Sequence, residues 1–149
     1  MKTKVKVLFF GMITGMIWSV IPYGTDMFNS GGDSALILFA GALTGLLVSL
    51  ALKDIVTRSG PVGTVIAGLI SLPLGAFIYG FISSILYSSF HDGFTGILYG
   101  FFIGFLAGAY FALLASVSRF GVILFLLAVL STFTFRAVIR SGQESGTAI

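Results

Sequence analysis

His91-Asp92 is the one place in this sequence where an acid and an imidazole stand side by side, the pairing that general acid–base chemistry uses. Both belong to a short polar stretch, SSFHDG at 88–93, and adjacent turn residues do not aim at one target. With a single histidine and no cysteine, the chain offers no thiolate nucleophile and no ligand set for a metal. The five acidic residues all fall in expected loops or in the tail. No residue is therefore assigned a catalytic, cofactor-binding or metal-binding role. The expectation is a protein that is not an enzyme and carries no cofactor.

The other groups able to do chemistry are hydroxyls inside apolar stretches: Thr14, Thr44, Thr64, Ser71, Ser83, Ser84 and Tyr79. Helix hydroxyls usually bond to their own backbone. Their alternative use is to solvate a small solute, and Thr14, Thr44, Ser71 and Pro73 form the candidate solute path. Pro73, in SLPLG, removes one backbone hydrogen bond and is expected to kink its helix. Charges within a bilayer mark ion and proton routes. Apart from Lys6 at the outer edge of the first, the first four apolar stretches contain none, which argues against a proton-coupled transporter.

Those stretches decide where the protein resides. The chain of 149 residues is 57% hydrophobic and only 9% charged, with a mean hydropathy of +1.11. A soluble domain carries about a quarter charged residues, so a globule of this composition could not cover its surface in water. Five apolar runs, at 5–21, 34–52, 62–87, 94–117 and 122–139, approach or exceed the roughly 20 residues that a membrane-crossing helix needs. They are too long, and alternate too little, for barrel strands. The expected fold is an all-α polytopic membrane protein with five transmembrane helices, or four plus one peripheral. It forms one domain over 1–140, followed by a flexible tail at 141–149.

The breaks read as turns: a Gly/Asn/Asp-rich one at 23–33, a charged loop at 53–60, a short turn at 88–93 and a minimal one at 118–121. The last makes the fourth and fifth runs expected antiparallel neighbours. Lys2, Lys4, Lys6, Lys53, Arg58 and Arg119 fall on one side, whereas the first and third breaks carry Asp26, Asp33, His91 and Asp92 without Lys or Arg. This is a positive-inside pattern, with the N-terminus cytoplasmic in a plasma or inner membrane. Only Arg136 and Arg140 disagree, since a fifth crossing would put them outside. The first run lacks a small-residue cleavage site and is expected to remain as an anchor. The net charge of +3 concerns orientation; no basic patch with interleaved aromatics suggests nucleic acid.

Small residues recur every fourth position in four of the runs. The first has Gly11 and Gly15, the second Gly41 and Gly45, the third Gly63, Ala67, Ser71 and Gly75, and the fourth Gly96, Gly100, Gly104 and Gly108. Such residues lie near one helix face and let backbones approach, which is how helices associate in lipid. The spacing predicts a tight four-helix core with the fifth helix on its flank, and the third run's stripe facing the fourth run's ladder. GMITGMIWS at 11–19 also matches GALTGLLVS at 41–49 at both glycines, the threonine and the serine. Running in opposite directions, the two would be inverted copies. The function these features favour is helix–helix contact, as an accessory or complex subunit whose partners are the bilayer and another membrane protein or itself. The alternative is a small-solute or ion pathway formed by the bundle.

Overall fold

The computed structural model describes residues 3–21, 33–117 and 121–144. They form four helices: α1 (Thr3–Val20), α2 (Asp33–Arg58), α3 (Pro61–Val117) and α4 (Gly121–Glu144). Three of them are long and apolar enough to cross a membrane, over Ser34–Arg58, Pro61–Leu114 and Gly121–Ser141; the apolar part of α1, Val5–Val20, is shorter. The turn expected over 23–32, with Asp26, the residues 118–120 and the tail beyond Glu144 lie outside the described residues.

Two expected breaks are helical. The charged stretch 53–58 continues α2, because Val56 is fully buried there while Asp54 and Arg58 are exposed. Hydropathy ends at Lys53; the helix does not. Two residues separate α2 from α3, and Pro61 opens α3, where its missing N–H leaves no bond unmade. The Thr64 amide then donates to the Gly60 carbonyl at 3.3 Å. Residues 88–92 are likewise helical, and α3 leaves helical geometry only at Gly93 (φ 60°, ψ −137°), a conformation that glycine alone adopts cheaply. Pro73 lies inside α3, and the helix continues through it.

At Gly93 the chain reverses. Gly108 approaches the Phe77 carbonyl, Gly104 that of Phe81, and Gly100 approaches Ile85, a descending register that sets the arm 94–117 antiparallel to the arm 61–92. Edge-on ring pairs Phe77–Phe105 and Phe81–Phe101, with centroids at 5.7 and 5.3 Å, flank this seam. The ladder thus packs on the third run as expected, but on Phe77, Phe81 and Ile85. The stripe Gly63, Ala67, Ser71 and Gly75 lies elsewhere. Ala67 joins the core, a methyl added at Gly63 would meet Ser59 at the α2–α3 corner, and one at Gly75 would stand 3.8 Å from Val48.

The closest approach is between α1 and α2. A methyl group added at Gly15 would run into the Gly41 carbonyl and lie 2.7 Å from the Gly45 Cα; one at Gly45 would meet the Gly11 carbonyl and lie 2.6 Å from the Gly15 Cα. Gly11 faces Ser49 as Gly41 faces Ser19. The two matching nonapeptides therefore embrace each other reciprocally, each glycine meeting the counterpart of its own neighbour.

The fifth run does not sit on the flank. Phe135 and Ile139 of α4 join Val7, Leu52, Val56 and Ala67 in one buried cluster, and Phe10 stacks on Phe135 at 5.3 Å. Gly68 approaches Val129 and Thr132, whereas Thr64 bonds Thr132 and Arg136. These registers make α4 antiparallel to α1 and to the first arm of α3. The expected antiparallel pairing of the fourth and fifth runs is thereby corrected: the second arm of α3 and α4 run in the same sense. The physical reason is that α4 carries its small and apolar contacts, Ala128, Thr132, Phe135 and Ile139, on one stripe that suits the α1–α3 groove. In the second arm of α3, by contrast, the only buried described residues are Gly96, Gly100, Gly104 and Gly108.

Candidate functional site

Four helices leave a partly open cavity of about 430 Å³ between them. Its origin lies in the glycine pattern. The small faces of α1 and α2 close on each other, so the small face of α3 around Gly75 and Ala76 has no backbone to meet and becomes a wall instead. Ala128 on α4 is too short to fill the space, and Phe10, Phe111 and Phe135 bound it. The volume lies within the roughly 300–1,000 Å³ usual for small-molecule sites.

Thr14 from α1, Thr44 from α2 and Ser71 from α3, three of the four residues singled out as a candidate solute path, line this one cavity. Pro73 does not line it. Trp18, Ser19, Ser49, Tyr79, Ser131 and Thr132 complete the polar and amphipathic part of the lining. Among the described residues, no Asp, Glu, Lys, Arg or His contributes to the wall.

The hydroxyls divide into two kinds. Ser19 donates to the Met16 carbonyl at 2.8 Å and Ser71 to that of Gly68 at 2.8 Å. Thr132 donates to Val129 and, across the helix interface, to the Thr64 carbonyl at 3.1 Å. These are satisfied by backbone, as helix hydroxyls usually are. Thr44 is not: its Oγ1 is buried without a hydrogen-bond partner, and the residue is only 7% exposed. A hydroxyl buried without a partner is costly, so such a group marks a place where something polar would be welcome.

At one end of the bundle the cationic side chains gather. The cluster of Val7, Leu52, Val56, Phe135 and Ile139 brings together residues that stand one or two positions from Lys6, Lys53, Arg58, Arg136 and Arg140. Arg136 is half-buried and donates through Nη1 to Thr64 Oγ1 at 2.9 Å; Thr64 Oγ1 in turn donates to the Gly60 carbonyl at 3.1 Å. The reversal at Gly93 lies at the far end of the first arm of α3. There His91 donates from Nδ1 to the Tyr87 carbonyl at 2.9 Å and stacks on the Tyr87 ring, while Asp92 is exposed. The imidazole is thus held along its own helix, and the adjacent carboxylate does not contact it.

Comparison with protein-family models, curated proteins and solved structures finds no match to this chain.

The functional reading therefore rests on the chain's own geometry. Ser131 was missed from the sequence because α4 was expected at the periphery, where a serine carries no message. In the sequence, Ser19 and Ser49 stand out only as the matching serines of the two nonapeptides. Trp18, the sole tryptophan, also lines the cavity, and nothing in its local sequence distinguishes it from an interfacial anchor.

Proposed function

We infer that this is a small multi-pass membrane protein that acts through helix–helix contacts, as a subunit of an assembly with another membrane protein or with itself. The observation that carries this reading is the second arm of α3. Of its described residues it buries only the glycine seam, and it presents Leu98, Phe101, Phe102, Phe105 and Leu106 on its remaining surface, with Phe102 74% exposed. Contiguous exposed apolar surface on this scale marks lipid or a partner. Aromatic enrichment, with rigid rings of large area, suits a partner.

The topology we infer has no complete fifth crossing, although α4 is packed in the bundle and is not peripheral. Arg136 and Arg140 stand at the Lys6–Lys53–Arg58 end, so the basic residues of α1, α2 and α4 share one side. The second arm of α3 and α4 descend in the same sense, and the stretch joining Val117 to Gly121 reaches at most about 14 Å. That is half the roughly 30 Å hydrocarbon core, so the two cannot each cross it in full and together make one return. Both termini then lie on the cytoplasmic side of a plasma or inner membrane, and the positive-inside pattern is complete.

A photo-crosslinking residue placed at Leu98, and separately at Phe102, in intact membranes tests the assembly reading. A discrete protein adduct of the same mass from both positions supports it. Lipid adducts alone from both would refute it. A second reading, a site for a small solute, is favoured by the cavity.

A further inference from the structure

We propose that the cavity between the four helices binds a single uncharged, mostly apolar molecule bearing a hydroxyl or carbonyl group. The inference deepens the solute reading and stands independently of the assembly reading. Four wall residues carry it. Thr14, Thr44, Ser49 and Ser131, from α1, α2 and α4, line the cavity, and their hydroxyls make no hydrogen bond to another described residue. Outside the cavity Thr57, Ser83, Ser89, Thr95 and Thr134 bond to backbone carbonyls of their own helix, and Thr64 to that of Gly60 just before α3. Forgoing that local bond leaves these wall hydroxyls available to a guest.

The rest of the lining sets the guest's character. Leu52, Leu72, Leu124 and Phe135 offer apolar surface. Among the described residues no charged side chain stands in the wall to balance an ion, and an unpaired charge in such surroundings would be far too costly. Hydroxyls can both donate and accept, which suits an alcohol or a carbonyl equally. A volume of about 430 Å³ admits one chain or one small ring system. Such a molecule could arrive as a free neutral metabolite or as part of a bilayer lipid. The two share only their apolar chain, and the wall hydroxyls favour the free alcohol or carbonyl compound.

Trp18 is a built-in reporter, being the only tryptophan and part of the wall. Purified protein in detergent is titrated with 11-bromoundecanol, whose bromine quenches indole fluorescence at contact. In parallel, protein is reconstituted in phosphatidylcholine vesicles with dibrominated acyl chains. The expected result is saturable quenching by the alcohol. Saturation shifts to about 2- to 10-fold higher concentration in Thr44→Val and Ser131→Ala, the range for one neutral hydrogen bond. It should be abolished in Gly75→Leu, where a Cβ fits and the longer side chain fills the void. Should Gly75→Leu fail to fold, the isosteric Thr44→Val and the rise in wild-type melting temperature with added alcohol decide the matter. Quenching that climbs linearly and equally in all variants would overturn the proposal. So would saturable quenching by 1-bromoundecane of the same strength, or quenching by the brominated lipid alone. Loss of crosslinks at Phe102 would leave these readouts untouched, so the two proposals fail separately.

Discussion

Replacing Gly15 by alanine and, separately, Gly75 by alanine should move stability in opposite directions. Both glycines sit inside helices, so each change removes the same helix penalty, about 1 kcal/mol. They differ in what the new methyl meets. At Gly15 it would collide with the Gly41 carbonyl and stand 2.7 Å from the Gly45 Cα. Carbon atoms rest at about 3.5–4.0 Å, so α1 and α2 must part by about 1 Å, and a gap of that size forfeits a quarter to a half of each contact's dispersion energy. Overpacking of this kind costs about 1–3 kcal/mol. The net change for Gly15→Ala is then about 0–2 kcal/mol destabilising. At Gly75 the nearest atom is Val48 Cγ2 at 3.8 Å, an ordinary contact, so the propensity gain of about 1 kcal/mol stands alone. For a chain of this size 1 kcal/mol moves the melting temperature by about 2–4 °C. Thermal unfolding of the purified protein in one detergent should therefore show Gly75→Ala above wild type and Gly15→Ala at or below it. If Gly15→Ala melts as high as Gly75→Ala, the α1–α2 backbones are not in contact and the account of the cavity's origin fails with it.

Three further outcomes are expected. Gly93→Ala should destabilise the α3 reversal by about 1–3 kcal/mol although nothing lies within 4 Å of its added methyl, because the cost is conformational; increased proteolysis near the turn in the variant checks it. Gly104→Leu, whose Cβ would stand 2.9 Å from the Phe81 carbonyl, should lower the melting temperature by several degrees, whereas Leu126→Ala, at a 61% exposed position, should change it little in detergent. A reporter active only in the cytoplasm, fused after Ile149, should be active, and a cysteine in place of Ser89 should react with an impermeant thiol reagent in intact cells while one in place of Thr57 should not. A silent reporter would restore the fifth crossing.

Much of the architecture was legible in the sequence, because its cause is compositional. Apolar runs of about 20 residues declare helices, and glycines four apart declare close faces. The likeness of 11–19 and 41–49 speaks for inverted copies, but that the two segments face each other is seen only in the fold. What misled was partner choice. The third run carries small residues on several faces, Ala67, Ser71 and Gly75 on one and Gly68 and Gly80 on two others, and spacing alone does not say which meets the ladder. Gly80 faces Gly108, and Gly68 faces α4. The end of α2 was read short because Lys53 and Asp54 lower hydropathy, while Val56 behind them is buried. The place of α4 was hidden for a deeper reason: its large side chains resemble a lipid-facing helix, and only the groove between α1 and α3 makes Phe135 and Ile139 interior. The candidate solute residues were legible one by one. That three of them share a wall was not, since it depends on a void, and a void is set by which small faces find no partner.

The reciprocal embrace of α1 and α2 has a consequence for how the chain tolerates change over generations. A contact in which Gly11 faces Ser49 as Gly41 faces Ser19 places equivalent residues in equivalent surroundings on two separate segments. Whatever is forbidden at one is forbidden at the other for the same steric cause. A complete map of single substitutions should thus show the same profile twice, once over 11–19 and again over 41–49, with Gly15 and Gly45 as its two deepest minima. Where the profiles diverge, the divergence reports the surroundings that break the symmetry: Trp18 beside the cavity on one side, Val48 against α3 on the other. The axis relating the two helices would be readable from viability alone.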